Sequence, residues 1–249
     1  MSAPAAYARW QADRLAALTA EEGWLSLTDR VEIAGGPQTV GSAPDNAIIL
    51  NGGPANLGIL LPGFQFQTPG GQPQPFRAGN GNPELRIPPF LLEIHSVDDE
   101  QALRVRDLTL PRHVDLRYFP YDAAWKIHAR WETLETPQPQ SIAQRGAAPT
   151  TITLTHRAHF THDGQQIALL ATHWKAGLPM FVIRDATFGR ETYPASRFLI
   201  GEDMTADTIT LDFNKAHNPP CAFTDFAICP LPPRENILPF AVRAGELAL

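Results

Sequence analysis

After Gly23 this chain never again places apolar residues at helical spacing over the length of a helix. Twenty-four prolines and eighteen glycines among 249 residues divide it into runs of a few residues, too short for helices and well suited to strands. The exception precedes Gly23. Tyr7, Trp10, Arg14 and Leu18, with Leu15 beside them, form a stripe at helical spacing, and Glu21, Glu22 and Gly23 follow it. The expected fold is mainly β, with one amphipathic helix over residues 1–22.

Trp24 to Ile33, Asn46 to Leu50 and Leu57 to Leu61 read as short strands, and residues 62–90 as a long turn-rich connection with room for a short hairpin. The clearest strand is AWKIHARWET. There Trp125, Ile127, Ala129 and Trp131 alternate with Lys126, His128, Arg130 and Glu132, which puts the tryptophans on a buried face. In TITLTHRAHFTHDGQQIALLATHW, Asp163-Gly164 separates two β-rich runs. A two-residue turn there sets Phe160 opposite Ile167, Ala158 opposite Leu169, His156 opposite Ala171 and Leu154 opposite His173. Further strands are expected at Met180 to Arg184, Arg197 to Ile200 and Thr208 to Phe213. The helix is then followed by a small sandwich-like β lobe over residues 23–111 and a second β lobe over 112–249, closed by a Pro-rich segment.

Charge and hydropathy exclude two kinds of partner. Twenty-six acidic against twenty basic residues give a net charge of −6, with no Lys/Arg cluster to displace counterions from a phosphate backbone, so nucleic acid is not expected. No stretch approaches the ~20 apolar residues that span a bilayer. Arg9, Asp13 and Arg14 interrupt the apolar run that a signal peptide needs, so a soluble cytoplasmic protein is expected.

Leu211 to Glu246 holds both cysteines and six prolines, with almost no strand or helix period. Its backbone groups need partners that no regular ladder supplies, so its Asp, Asn, His and Glu side chains either satisfy that backbone or line a site. The text ETYPASRFL, LDFNKAHNPPCAF and CPLPPRENILPFAVRAGE resembles the signature of a bacterial family catalogued as the sixteen-eighty-fourth domain of unknown function. The family pattern is similar to FRDxTxGxxTYxxxRFL, then DFNxAxNPxCAF, CPxPPxEN and a closing AGE. Arg184, Asp185, Thr187, Gly189, Thr192, Tyr193, Arg197 and Phe198 carry the first part, with Ile183 where Phe is usual. Asp212, Phe213, Asn214, Asn218, Pro219, Cys221, Ala222 and Phe223 complete the second. The resemblance marks a place and implies no established activity.

The chemistry of these residues suggests an anion. Arg184, Arg197 and Arg234 offer forked donors for a carboxylate or phosphate, while Asp212, Asn214, Asn218, Glu235 and Asn236 offer acceptors and amides. Arg184, Tyr193, Arg197, Asn214, Asn218 and Asn236 are the candidate ligand-binding set, with Arg184, Tyr193, Arg197 and Asp212 expected to converge on one cavity for a small anionic metabolite. The competing expectation is that Asn and Asp beside proline bond the backbone around them. Cys221, with His217 as base and Asp212 to orient it, is the candidate catalytic set for hydrolysis; free buried thiols are usually inert, and that is the expectation for Cys221. A disulfide between Cys221 and Cys229 is disfavoured in a reducing compartment.

His156, His159 and His162 have HxxHxxH spacing, but on a strand His159 points away from the other two. His156 and His173, diagonal across the hairpin, are the better candidates for a divalent metal, with Asp185 or Asp212 as a third ligand. No other cofactor is expected. In the first lobe, Gly41, Asn46, Ile48 and Leu50 resemble the turn of the forkhead-associated domain, GRxxxNDIxL, with Ser42 in place of its arginine. That resemblance implies a sandwich scaffold without phosphothreonine recognition. The alternative to a metabolite enzyme or binding protein is a non-catalytic interaction module with a β-sandwich partner surface.

Overall fold

The computed structural model describes residues 3–79, 81–97 and 100–249. The chain forms two compact units, residues 1–16 with 114–249 and residues 17–113, so the boundary falls inside the N-terminal helix, Ala5–Thr19. Tyr7 and Leu18 are buried on that helix as its stripe requires, whereas Leu15 is exposed, so the apolar face is narrower than the sequence suggests. No helix among the described residues is long and apolar enough to cross a membrane.

Residues 17–113 fold into two five-stranded sheets. One takes the order β1 (Leu27–Glu32), β10 (Glu100–Asp107), β9 (Phe90–Val97), β8 (Pro83–Ile87) and β7 (Arg77–Ala78). The other runs β3 (Ile48–Ile49), β2 (Gln38–Gly41), β4 (Gly58–Leu61), β5 (Gln65–Gln67) and β6 (Gln74–Pro75). Val40, Ile48, Leu60 and Phe66 of one sheet pack in the same cluster as Phe90, Leu92, Ile94, Leu103 and Val105 of the other, which makes the lobe a sandwich. Residues 62–90 are therefore not mainly a connection, since they supply four strands. Pro75 lies on the edge strand β6, where a missing N–H costs no ladder bond.

The second unit is built on one curled, half-barrel sheet. Its strands are β11 (Lys126–Arg145), β12 (Ala147–His162), β13 (Gln165–Leu170), β14 (His173–Lys175), β15 (Leu178–Ile183), β16 (Arg197–Glu202), β17 (Thr208–Asp212) and β18 (Cys229–Pro230). The order is β13-β12-β11-β17-β16-β15-β14, with β18 paired to β11. As the alternation predicts, Ala129 and Trp131 are buried, and Trp125 and Ile127 pack against the same cluster. The turn between β12 and β13 has positive φ at both Asp163 (46°) and Gly164 (77°), the type I′ geometry whose twist matches the strands it joins. It sets Phe160 opposite Ile167 and Ala158 opposite Leu169.

The same pairing stops before His173. Ala171 N–H still donates to His156 O, but Thr172 N–H donates to Met180 O, and His173 then pairs with Met180 on β14. Two residues thus carry the chain from one end strand of the sheet to the other. His173 does not lie diagonal to His156 on one hairpin, which corrects the expected metal pair.

Beside this step, Asn236 joins β13 to β15. Its Oδ1 accepts from Leu170 N–H at 2.8 Å, and its Nδ2 donates to Leu170 O at 2.9 Å and to Val182 O at 3.0 Å. Arg184 N–H to Asn236 O and Leu238 N–H to Arg184 O extend the join along β15. Asn236→Ala would strip three buried backbone groups of their partner, and each such group costs about 1–3 kcal/mol. We therefore expect Asn236→Ala to lower unfolding free energy by about 2–4 kcal/mol in urea titrations, given partial relaxation. A loss below about 0.5 kcal/mol, the range of an ordinary surface substitution, would show that Asn236 does not hold the seam.

Candidate functional site

The signature residues come to rest in separate hydrogen-bond sets. Arg197, 2% exposed, donates to Asp185 Oδ2 at 2.6 Å, to Val242 O at 3.0 Å and to Ala244 O. Asp185 Oδ1 accepts from Thr187 N–H, Thr187 Oγ1 and Val242 N–H. Asp212 lies elsewhere, capping the turn Phe213–Lys215 by accepting from Asn214 N–H, with Lys215 Nζ 4.0 Å from its other oxygen. Asn214 holds both backbone groups of Asp122. Arg197 thus pairs with Asp185 and not with Asp212, because Arg197 opens β16 next to the end of β15, directly opposite Ile183.

A third set involves residues that the candidate list omits. Glu246, fully buried, accepts from Arg14 Nε at 2.9 Å and from Asn218 N–H at 2.7 Å, while Asn218 Nδ2 donates to Leu247 O. Gly245 before it has φ of 84°, and a Cβ there would stand 2.3 Å from Ala216 O, which explains the glycine of the closing AGE. The only sequence signal for Glu246 was its place in that motif.

Cys221, His217 and Asp212 are not linked by any hydrogen bond among the described residues. His217 Nδ1 meets Lys215 O at 3.1 Å, and its ring packs edge-on to Phe198 and near Trp10. Burial, helped by the neighbouring Arg14 charge, pulls its pKa down to about 3. Such an imidazole stays neutral and is a weak base at neutral pH. His156 stacks on Trp131 and meets Trp174 edge-on, with ring centroids 4.9 and 5.3 Å apart. Since Trp174 faces His156, strand alternation turns its neighbour His173 to the opposite side. No group of three or more His, Cys, Asp or Glu side chains among the described residues is placed to hold a metal ion.

What the fold does bring together is a thiol pair, a phenol and two arginines around residues 193–196. Tyr193 Oη donates to Cys221 O at 2.6 Å, and Arg145 bonds both Tyr193 Oη and Cys221 O. Arg145 arrives at the tip of the β11–β12 hairpin, where Gly146 (φ 85°) turns the chain and where β18 pairs Cys229 with Arg145. Cys221 N–H donates to Cys229 Sγ at 3.2 Å, and both thiols are free and buried. On the same loop Arg184 donates through Nε and Nη2 to Ala195 O and lies 5.1 Å from the centroid of the Phe188 ring. The Cys221 pKa is pulled down to about 7, chiefly by its contact with the Cys229 side chain. Cys229 and Tyr193 are pushed up, Cys229 first by that same contact and Tyr193 first by burial.

A surface groove of about 510 Å³ lies in the other unit, lined by Pro73, Gln74, Arg77, Glu84 and Arg86 among others. It contains none of the signature residues.

A family model described as a protein of unknown function, DUF1684, matches residues 112–247. A solution NMR structure of an uncharacterized protein of Haloarcula marismortui is 32% identical, covers 53% of this chain and 75% of that one, and superposes with a TM-score of 0.43. No curated protein matches the chain.

The buried histidines set an acid limit. His217 and His95 are lowered to about 3 and about 4, and His156 and His173 are lowered as well, in each case first by burial. The unfolded chain takes up these protons near pH 6.5 and the folded chain only at lower pH. Stability from these groups is therefore complete above about pH 6.5 and falls as the pH drops. We expect urea midpoints to decline between pH 6.5 and 4.5, and His217→Gln to flatten that decline. An unchanged pH slope in the variant would assign the acid loss to other groups.

Proposed function

Since the chain belongs to the DUF1684 family of proteins of unknown function, we propose its role from its own geometry: it binds a small carboxylate- or phosphate-bearing molecule on the 193–196 loop of the C-terminal lobe. The observation that carries this is Arg184. Its guanidinium is fixed by a neutral carbonyl and an aromatic ring, and no carboxylate pairs with it among the described residues. Arg145, held on the same loop through Tyr193, has as its carboxylate partner Asp225, which is 87% exposed and 3.4 Å away. Such a surface pair is weak and yields readily to a ligand. Two pre-positioned forks on one short loop leave a positive spot on a chain whose net charge is −6. Hydrolysis at this place would need a base beside Cys221, and among the described residues no histidine or carboxylate hydrogen-bonds that thiol. We therefore favour binding over catalysis.

One observation supports the second reading, a partner-binding module. Trp174, 45% exposed, lies on β14, which ends the sheet, and an unpaired strand edge with an exposed apolar side chain is a surface that partners use.

Isothermal titration with inorganic phosphate, pyrophosphate, citrate and succinate tests the first reading. At least one anion should bind, and Arg184→Ala and Arg145→Ala should each weaken it about tenfold, or ~1.4 kcal/mol, with melting temperatures close to wild type. Absence of binding across the panel, or equal affinity in both variants, would end this reading; Trp174→Lys should leave the affinity unchanged.

A further inference from the structure

We propose that Cys221 and Cys229 are a redox site, in which Cys221 reacts with a small hydroperoxide and Cys229 resolves the product as an intramolecular disulfide. Three observations place the two sulfurs for this. Cys221 N–H donates to Cys229 Sγ at 3.2 Å, and both thiols are free and buried. Both backbones are fixed: Cys221 lies in the tight turn Pro220–Ala222, whose first residues are prolines, and Cys229 is laddered to Arg145. A disulfide needs the two sulfurs ~2.05 Å apart, and the Cys229 sulfur already touches the Cys221 backbone.

The two thiols are not equivalent. The Cys221 pKa is lowered and the Cys229 pKa raised, in each case first by the contact between the two side chains, so the negative charge belongs on Cys221 and the proton on Cys229. Cys221 is 4% exposed and Cys229 1%, which puts the less hidden sulfur at the attacking position and selects an oxidant of two or three heavy atoms over a protein disulfide. Packing alone accounts for two buried cysteines. It does not account for an arginine and a phenol both fixed on the Cys221 carbonyl.

The chemistry balances as follows. The Cys221 thiolate attacks one peroxide oxygen, the O–O bond breaks, and the departing alkoxide takes a proton from solvent, leaving Cys221 as a sulfenic acid. The Cys229 sulfur then attacks the Cys221 sulfur as its proton leaves, the S–O bond breaks, and the hydroxide departs with a proton as water. Two thiols and one hydroperoxide become one disulfide, one alcohol and one water.

The reduced, desalted full chain is treated with hydrogen peroxide at one to ten equivalents, then alkylated under denaturing conditions and weighed intact. A mass loss of two hydrogens with no alkylation, reversed by dithiothreitol, is the expected result. Cys229→Ser should stop at a sulfenic acid captured by dimedone, and Cys221→Ser should show neither product. Two fully alkylatable thiols in the folded wild type after treatment would overturn the proposal without recourse to either variant. Dimedone capture in Cys221→Ser at the wild-type rate of oxidation would overturn the assignment of Cys221 as the attacking sulfur. A rate that rises through pH 7 is expected for the folded protein, and one that rises only near 8.5, as for an ordinary thiol, would also count against it.

Discussion

The buried pair of Asp185 and Arg197 is the constraint on which the C-terminal lobe depends. Neither charge can be left alone where Arg197 is 2% exposed, since a buried ion without a partner costs several kcal/mol. Both also bond the backbone, although Arg197 Nε is buried without a hydrogen-bond partner. Arg197 takes the carbonyls of Val242 and Ala244, and Asp185 takes the amides of Val242 and Thr187. Residues 242–244 belong to no strand, so the three bonds to Val242 and Ala244 stand in for the ladder that an irregular segment lacks. The pair lies at the ends of two adjacent strands, and it anchors the last turn of the chain against the sheet.

The same logic runs through the signature. Asn214 fastens the segment at Asp122, Asn236 fastens the seam between β13 and β15, and Glu246 fastens Asn218 to the N-terminal helix through Arg14. In each case a short polar side chain replaces a strand neighbour. A motif rich in Asp, Asn and Arg therefore has a structural cause as complete as any catalytic one. That shifts the search for function to residues whose polar capacity is not used up, and Arg184 and Arg145, beside the 193–196 loop, are two cations that meet this condition.

How much of this was legible in the sequence depended on how far apart the partners lie. The Asp163-Gly164 turn and the alternation from Trp125 to Trp131 are local, and both the register and the buried face followed from them. The β9 strand, by contrast, buries Phe90 through Ile94 without a break, Glu93 included, so it has no period to recognise. The strands within 62–90 are two to five residues long and carry prolines, which hides them among turns. At the site, the motif located Asp185, Arg197, Asn236 and Cys221 but not their partners. Asn236 meets Leu170 across 66 positions and Arg145 meets Tyr193 across 48, distances at which spacing carries no information. The error over His173 had the same origin: the two-residue step from one end strand to the other leaves no mark in composition.

Arg145 shows why the fold makes the thiol site distinctive. The β11–β12 hairpin is long enough, at 20 and 16 residues, to reach beyond the sheet, and its register slips between Thr133 and Gln138, which bends it. The bend brings the tip onto the Pro-rich segment, where Gln144 and Arg145 pair with Pro230 and Cys229. A hairpin that ended at Thr133 would leave β18 unpaired, and the Cys229 backbone would lose the ladder that fixes its sulfur beside Cys221. The ribbon thus serves both halves of the arrangement. Its backbone holds the resolving cysteine, and its last side chain places a positive charge over the carbonyl of the attacking one.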